Sequence, residues 1–412
     1  MNSKAATKKV PITKSQRTTY IFILGFVLMF QTLVTDMFLP AFPKIAAFFQ
    51  VPDAFVQYSL SAVTLGAAIG FFAAGPLSDS IGRKKPVLIS LALLTASSIA
   101  LYFAPGIEAF VFLRFLQGLA AAAAAVVSQA IIRDLFVGQA MLKMLGRVFL
   151  IIGSAPIVSP FIAAQLLLVA PDWRIVPIAL GACGAIILLL ASKALIETLH
   201  VDDRRAKGFE GVNRRFIAVF KDRIFLGLVM LGMLQTVALF SYLNSIPFLY
   251  QETFGLTPVE FSLMFSITAI CWFLAIQAGA RLARVIKAQW VIFLALVVSL
   301  FAGAGLAFVA IQGLGISAVI PFMALFMISF GLSITPIQTI ALQGHGAEAG
   351  TAASVLGVMN SFTAAVSAPL YPIVGSASSF NLGITVLITH LLAILVFFVI
   401  VRPRTVPALV QE

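Results

Sequence analysis

Residues 75–86 read Gly75-Pro-Leu-Ser-Asp-Ser-Ile-Gly-Arg-Lys-Lys-Pro86 and separate two long apolar runs of the chain. A solvated basic loop would account for the three consecutive basic residues near the end of this stretch. It would not account for Gly75, Asp79 and Gly82, which are spaced by four residues and then by three. The stretch therefore predicts a specific short turn between two helices, and the sequence around it indicates what kind of helices they are.

The surrounding sequence is too apolar for a soluble protein. Of its 412 residues, 61% are hydrophobic and 10% are charged, whereas a soluble domain is about half apolar and about a quarter charged. The apolar residues come in blocks of about 20, which is the length of a helix that crosses a bilayer core of about 30 Å. These features exclude a soluble domain, a disordered chain and a disulfide scaffold. They predict an all-α polytopic membrane protein.

Twelve membrane spans are predicted from the apolar blocks and from the Pro, Gly and charged residues between them. The first six lie near residues 19–41, 54–75, 85–104, 108–131, 143–168 and 174–196. The second six lie near residues 224–249, 259–280, 289–310, 315–340, 349–372 and 380–401. The residues left over are too few for a separate soluble domain.

The spans divide into two halves, residues 1–196 and 224–412, joined by a linker at 197–223. The linker mixes both signs of charge and has few large apolar residues. The segments Val56-Gln-Tyr-Ser-Leu60 and Val259-Glu-Phe-Ser-Leu263 open the second and the eighth span, which indicates a repeat. Two parallel repeats of six helices with a site between them are a transporter architecture.

The net charge of +12 is interpreted as a signal of membrane topology. Lysines and arginines that flank membrane spans remain on the cytoplasmic side. If the N-terminus is inside, all but three of the 27 lysines and arginines fall on cytoplasmic segments. The exceptions are Lys44 and Arg174 in outer loops and Arg114 inside a span. Both termini are therefore predicted to be cytoplasmic, and no nucleic-acid partner is expected.

Catalytic and metal-binding patterns are missing from the sequence. His200, His345 and His390 fall in separate segments, and the two cysteines lack the CxxC spacing of a metal or redox site. No serine elbow, phosphate loop or pair of carboxylates is found. We therefore expect no enzyme activity, no metal ion and no cofactor.

The stretch at 75–86 resembles the loop between helices two and three of the major facilitator superfamily, which reads G-x-x-x-D-x-x-G-R-[RK]. Ser80 stands where the family often has arginine, which places one basic contact of the usual loop in doubt. Further motifs resemble the bicyclomycin-resistance (Bcr/CflA) type of drug exporter within this superfamily. They are Asp36-Met-Phe-Leu-Pro-Ala-Phe-Pro43, Arg114-Phe-Leu-Gln-Gly118, Arg133-Asp-Leu135, Ser245-Ile-Pro-Phe248 and Ala349-Gly-Thr-Ala-Ala-Ser354.

The resemblance implies a twelve-helix fold in the bacterial cytoplasmic membrane that exports antibiotics or small metabolites in exchange for protons. It also implies a conformational switch made of Gly75, Asp79, Gly82, Arg83 and Asp134. In this switch Arg83 pairs with Asp134, and Asp79 caps a neighbouring helix end and locks the outward-facing state. Pro156 and Pro160 are expected to bend span five, and the resemblance associates a Gly/Pro pattern there with antiporters, although the family form is richer in glycine than Gly153–Pro160. The alternative is that these are ordinary prolines of a membrane helix.

Two charged residues, Asp36 and Arg114, lie well inside the predicted spans. An ionisable residue in a membrane helix usually faces a cavity or a partner. At 1.5 Å per residue, both lie roughly 8 Å below the outer surface. We therefore predict that they pair, with Asp36 as the proton carrier and Arg114 as its counter-ion. The alternative interpretation is an interfacial pair held near the lipid headgroups.

Polar side chains at similar or greater depth are the candidates for substrate contacts. They are Thr32, Gln117, Gln235, Tyr242, Asn244 and Asn360. In the alternative interpretation these side chains only form hydrogen bonds between neighbouring helices.

Together these patterns predict a monomeric, proton-coupled efflux antiporter for a small amphipathic organic compound, neutral or zwitterionic. One alternative is an exporter or uniporter of a metabolite such as a nucleoside or sugar, with the same fold. Another is a membrane receptor or integral enzyme, which would require a sensory domain or a catalytic constellation.

Overall fold

The computed structural model describes residues 14–136, 138–199, 222–343, 349–374 and 378–406. This part of the chain is almost entirely helical and contains no strand. Most of the predicted linker at 197–223 lies outside the described residues, so its bounds and those of the two halves stay predictions. Most side chains of the Ala349–Ser354 motif also lie outside the description.

Twelve long helices run through the described residues. They are α1 (Lys14–Asp36), α2 (Asp53–Ile81), α3 (Lys84–Tyr102), α4 (Ile107–Leu135), α5 (Gly138–Val169), α6 (Ile175–Ala194), α7 (Arg223–Phe248), α8 (Pro258–Val285), α9 (Ala288–Ile311), α10 (Ile316–Gln343), α11 (Ala349–Val374) and α12 (Ser379–Val396). By length and composition, eleven described helices are suited to cross a membrane, and α11 contributes the shorter apolar stretch Val355–Ser367. The predicted twelve-helix fold is confirmed.

The first helix ends earlier than predicted, at Asp36 instead of residue 41. A 3-10 turn (Leu39–Ala41) and a short helix (Phe42–Phe49) follow it. Pro40 and Pro43 lack the backbone N–H that would continue α1, but each occupies the first turn of the next element, where proline is tolerated. Asp36 is therefore the last residue of its helix instead of lying inside it.

The second helix is longer than predicted, because it continues to Ile81 with Pro76 inside it. Gly75 and Asp79 therefore lie in the helix, and the turn before α3 consists of Gly82 and Arg83 only. Gly82 has φ 99° and ψ 170°, a backbone conformation that residues with a Cβ rarely adopt. Position 75 does not require glycine in this way, since a Cβ on Gly75 would approach only the Val126 side chain, at 4.0 Å.

Helices α2 and α4 pack closely because small residues lie between them. A Cβ at Gly118 would collide with the backbone of Val63, and one at Gly66 would collide with the carbonyl of Phe115. Close backbone approach at small residues is the common packing mode of membrane helices. Gly118 therefore serves helix packing, and this packing sets the position of Arg114 one turn away.

Two helix pairs, α2 with α11 and α5 with α8, join the first six helices to the last six. The Ser262 hydroxyl donates to the Pro160 carbonyl (2.9 Å) and the Ser266 hydroxyl to the Ile157 carbonyl (2.7 Å). Gln57 donates to the Asn244 carbonyl at 3.2 Å. These three hydrogen bonds between the two sets of helices lie toward the end of the bundle that holds Asp36. We call it the Asp36 end and the opposite one the Arg83 end.

Candidate functional site

Arg114 is fully buried on α4 and reaches the C-terminal end of α1. Its Nη1 donates to the Val34 carbonyl at 2.5 Å and to Gln117 Oε1 at 2.9 Å. The guanidinium lies 4.0 Å from the centre of the Phe38 ring. The last carbonyls of a helix have no partner within it and carry partial negative charge, so a buried cation is stabilised there.

Asp36 does not pair with Arg114, which corrects the predicted ion pair. The Asp36 side chain is 6% exposed, and no described residue lies within 4.0 Å as a salt-bridge partner or donates a hydrogen bond to it. The Nε and Nη2 atoms of Arg114 also lack a partner among the described residues. The physical reason is that the α1 carbonyl end and the Phe38 ring hold the guanidinium. The carboxylate and its expected counter-ion thus lie close in the fold but are separated.

Tyr242 lies on α7, in the second set of helices, and is near Asp36. The Asp36 carboxylate lies within electrostatic reach of the Tyr242 hydroxyl. That hydroxyl is 2.9 Å from the Thr268 hydroxyl on α8, and the ring packs on Phe265 and Phe326. The predicted proton carrier therefore lies at the boundary between the first and the last six helices.

The predicted contacts Gln117, Tyr242 and Asn244 are all fully buried in this state. Gln117 accepts from Arg114 and donates to Ser98 at 2.7 Å. Asn244 donates to the Phe240 carbonyl, and its own backbone carbonyl accepts from Gln57. Contact between these side chains and a substrate requires the state seen here to rearrange, and their role stays a prediction.

Arg114 forms no hydrogen bond with the other three predicted contacts among the described residues. Gln235 on α7 accepts a hydrogen bond from Ser333 on α10 at 3.1 Å. Asn360 on α11 lies against Gly232 of α7, and its buried Oδ1 has no partner among the described residues. Thr32 is half-buried one helical turn before Asp36. The structure therefore gathers Asp36, Arg114, Gln117 and Tyr242 and leaves Gln235 and Asn360 with the second set of helices.

At the Arg83 end, three of the predicted switch residues are in contact. Arg83 Nη1 lies 2.6 Å from Asp79 and donates to Ser78 at 2.6 Å, and Arg83 Nε lies 3.1 Å from Asp134. The expected pairing of Arg83 with Asp134 is present. Asp79 faces Arg83 on its own chain segment, and no contact with a neighbouring helix end is described for it. Because these contacts form while the Asp36 end is closed, they are not exclusive to the outward-facing state, and the switching role stays a prediction.

Glu197, which follows α6, completes this cluster and was not identified from the sequence. Its carboxylate accepts from the backbone N–H groups of Arg83 (2.7 Å) and Lys84 (3.2 Å), which begin α3. Thr198 next to it donates to Asp134 at 3.0 Å. A carboxylate at a helix N-terminus satisfies free donors and interacts well with the helix dipole. The only sequence feature that could have indicated this role is an acidic residue directly after an apolar span, and an ordinary charged residue of a linker has the same appearance.

Replacing Glu197 by alanine is expected to destabilise the protein by about 1–2 kcal/mol, the effect of losing a helix N-cap. Glu197→Gln retains one acceptor oxygen and should lose less. The measurement is the free energy of unfolding in detergent. Asp172→Ala removes an acid that is paired with Arg174 on the surface, and it serves as the control. Equal losses for Glu197→Ala and Asp172→Ala would contradict the capping role.

The serine hydrogen bonds between α5 and α8 are expected to hold the Asp36 end closed. Each is worth about 1 kcal/mol net, so the double variant Ser262→Ala, Ser266→Ala loses about 2 kcal/mol and should raise the population open at that end by about thirtyfold. The reporter is a cysteine at the buried Tyr250, in a background with Cys183→Ser and Cys271→Ser. Its rate of labelling by a membrane-impermeant maleimide should rise correspondingly.

The control variant is Ser97→Ala, Ser329→Ala, because these buried serines donate to carbonyls of their own helices. If the control raises the labelling rate as much as the double variant does, the two bonds between α5 and α8 have no part in closure.

The chain is similar in sequence to bacterial membrane transporters along nearly its whole length. Residues 24–369 match the family model described as Major Facilitator Superfamily. The uncharacterized MFS-type transporter YdgK of Bacillus subtilis is 30% identical over 397 residues, covering 95% of this chain and 98% of the relative. The bicyclomycin resistance protein homolog of Haemophilus influenzae is 26% identical, with 83% and 86% covered. The multidrug resistance protein MdtL of Shewanella oneidensis is 30% identical, with 83% and 85% covered.

Solved structures of low sequence identity share the fold. The xylose transporter XylE of E. coli, in a partially occluded inward-open conformation, matches with a TM-score of 0.75 at 13% identity, covering 97% of this chain and all of that one. A bacterial homolog of the human lysosomal transporter Spinster matches with a TM-score of 0.74 at 12% identity, with 95% and 98% covered.

Proposed function

The chain belongs to the major facilitator superfamily, and from this we propose that it is a proton-coupled antiporter that exports a small amphipathic organic compound by alternating access. Membership of this family makes the chain a multi-pass membrane transporter for small molecules. Its relatives include multidrug and bicyclomycin resistance proteins. Export from a bacterial cytoplasm, with both termini inside and the chain acting as a monomer, is part of the proposal.

The observation that carries the proposal is the separated arrangement of Asp36 and Arg114. A buried carboxylate without a donor is strongly destabilised when charged, whereas the protonated carboxyl is not. Two nitrogen atoms of the buried guanidinium, Nε and Nη2, have no partner among the described residues and can donate to a negative group. We assign the state seen here, closed at the Asp36 end, to the protonated carrier. Loss of the proton toward the Arg83 end would create the charge that Arg114 then pairs with.

This arrangement supports a neutral or zwitterionic substrate. Among the described residues deep in the bundle, Asp36 supplies the acid and Arg114 the permanent base, and His390 on α12 is a further buried titratable side chain that adds no negative charge. Such a site has no surplus of negative charge to attract a dication. The many phenylalanines of the chain, 37 in all, provide the apolar packing that an amphipathic compound requires. An antibiotic of the amphenicol type has the chemistry that fits.

With one titrating carboxylate, the exchange should move one proton for each substrate molecule. For a neutral substrate this step carries net charge, so it should respond to voltage. A potential of 100 mV contributes about 2.3 kcal/mol per charge, and each pH unit adds about 1.4 kcal/mol. Together they sustain a substrate gradient of about a few hundredfold. Efflux of chloramphenicol from proteoliposomes at constant pH is expected to follow a valinomycin-set potassium potential.

Two results would contradict the proposal. Efflux that does not respond to the potential would mean electroneutral exchange, and efflux that moves no proton would indicate a metabolite uniporter of the same fold. Growth of an efflux-deficient bacterium on a panel of antibiotics, with and without the chain, identifies the substrate class. Empty liposomes under the same potential provide the baseline.

A further inference from the structure

A groove between α2 and α4 opens sideways from the bundle, away from Asp36 and Arg114. It has a volume of about 500 Å³ and begins at the first turns of the two helices. Its walls are formed by four aromatic rings, those of Phe55, Tyr58, Phe112 and Phe115. Phe112 is 59% exposed, so the groove faces the surroundings of the bundle, which are lipid in a membrane protein.

One charged residue, Glu108, lies at the mouth of this groove. It is exposed, and no described residue pairs with its carboxylate. The described residues that line the groove include no lysine or arginine. A carboxylate next to exposed aromatic faces is the combination that binds an ammonium group, since rings and carboxylate both attract a cation. Below Glu108 the lining is apolar apart from the Tyr58 hydroxyl, down to Leu65 and Phe115, roughly 10 Å along α4.

We infer that the α2–α4 groove is a binding site for a phospholipid with a primary ammonium headgroup. The ammonium group would donate to Glu108 at the mouth, and an acyl chain would lie along Leu65, Phe112 and Phe115. The depth matches this occupant, because Glu108 is in the first turn of α4, where the chain enters its membrane span. Phosphatidylethanolamine has this chemistry, whereas phosphatidylglycerol lacks the ammonium group. The inference does not depend on the coupling of transport to protons.

A second explanation for Glu108 is that it only stabilises the N-terminus of α4, since negative charge is favourable there. Asp53 provides the matched control. It is the first residue of α2 at the same end of the bundle, and it does not line the groove. A helix-terminal effect would be shared by the two acids, whereas a lipid site would involve Glu108 alone.

The test is native mass spectrometry of the full chain in detergent with equimolar dioleoyl-phosphatidylethanolamine and dioleoyl-phosphatidylglycerol. The wild type should retain the first lipid in preference to the second. Glu108→Gln should lower this preference by about two- to fivefold, the strength of a partly exposed ion pair, and Asp53→Asn should leave it unchanged. Dioleoyl-phosphatidylcholine, which has no N–H to donate, should be retained less than phosphatidylethanolamine.

The acyl part of the site is tested with Phe112→Ala, which should lower retention of both lipids alike. Phe301→Ala on α9, also strongly exposed, is its control. An unchanged lipid preference in Glu108→Gln, or an equal loss in Asp53→Asn, would overturn the inference. Equal retention of both lipids by the wild type would do the same.

Discussion

Replacing Asp36 by asparagine is expected to abolish proton-coupled efflux while the substrate still binds. Asparagine has nearly the same shape but cannot exchange a proton. The wild type can sustain a substrate concentration gradient of about a few hundredfold with one proton per molecule, whereas the variant should only equalise the substrate concentrations on the two sides. In proteoliposomes, substrate-driven proton release should disappear. Substrate should still raise the melting temperature of the purified variant, because Asp36 carries the proton and the other side chains bind the compound.

Asp172→Asn is the matched control for this experiment. Asp172 lies in the loop between α5 and α6 and has a side chain 52% exposed, so its loss should leave coupling intact. Proton-driven efflux that persists in Asp36→Asn would place the proton site elsewhere. Loss of both binding and coupling would assign Asp36 to substrate contact instead.

Replacing Arg114 by methionine is expected to destabilise the protein by about 3 kcal/mol, because it leaves buried acceptors without their donor. These acceptors are the Val34 carbonyl at the end of α1 and the Gln117 side chain. Arg114→Lys keeps the charge but has no planar group to donate to both or to stack on Phe38. We therefore expect it to fold with a smaller loss of stability and to transport at least tenfold more slowly.

The free energy of unfolding in detergent and the rate of efflux measure these two effects. Arg133→Met is the control on the same helix. Its side chain is exposed, and the expected change in the free energy of unfolding is below about 0.5 kcal/mol. If Arg114→Met proved as stable as Arg133→Met, the contact with the end of α1 would contribute nothing.

The twelve helices were predictable because membrane-spanning segments follow simple physical requirements. A segment in lipid must satisfy all its backbone groups internally and must be long and apolar enough to cross. Most predicted bounds agree with the structure within a few residues, as for span seven (224–249) and α7 (Arg223–Phe248). The errors at α1 and α2 occur where prolines act in two ways. Pro40 and Pro43 mark a break, whereas Pro76 is accommodated inside a helix.

The candidate site was predictable in part. The depth of Asp36 and Arg114 made them candidates, because ionisable residues are rare in membrane helices, and both are buried in the structure. Their separation was not predictable, since depth along a helix contains no information about its rotation or about which group a side chain meets. Gln57 and Ser98 were missed for the same reason, as were Ser262 and Ser266. Polar residues of these types are common in membrane helices, and only the packing distinguishes a bond within one helix from a bond between two.

The sequence by itself determined that this chain is a helical membrane transporter of a known family, because hydrophobic length and local motifs are properties of contiguous segments. Only the tertiary structure decided that Arg114 binds the carbonyl end of α1, 80 residues away in sequence, and that Asp36 has no ion-pair partner within the described part of the chain. It likewise decided that Glu197 caps α3, 114 residues before it. These contacts depend on how helices of similar apolar surface rotate and pack against one another. That rotation is determined where small residues such as Gly66 and Gly118 allow two helix backbones to approach closely.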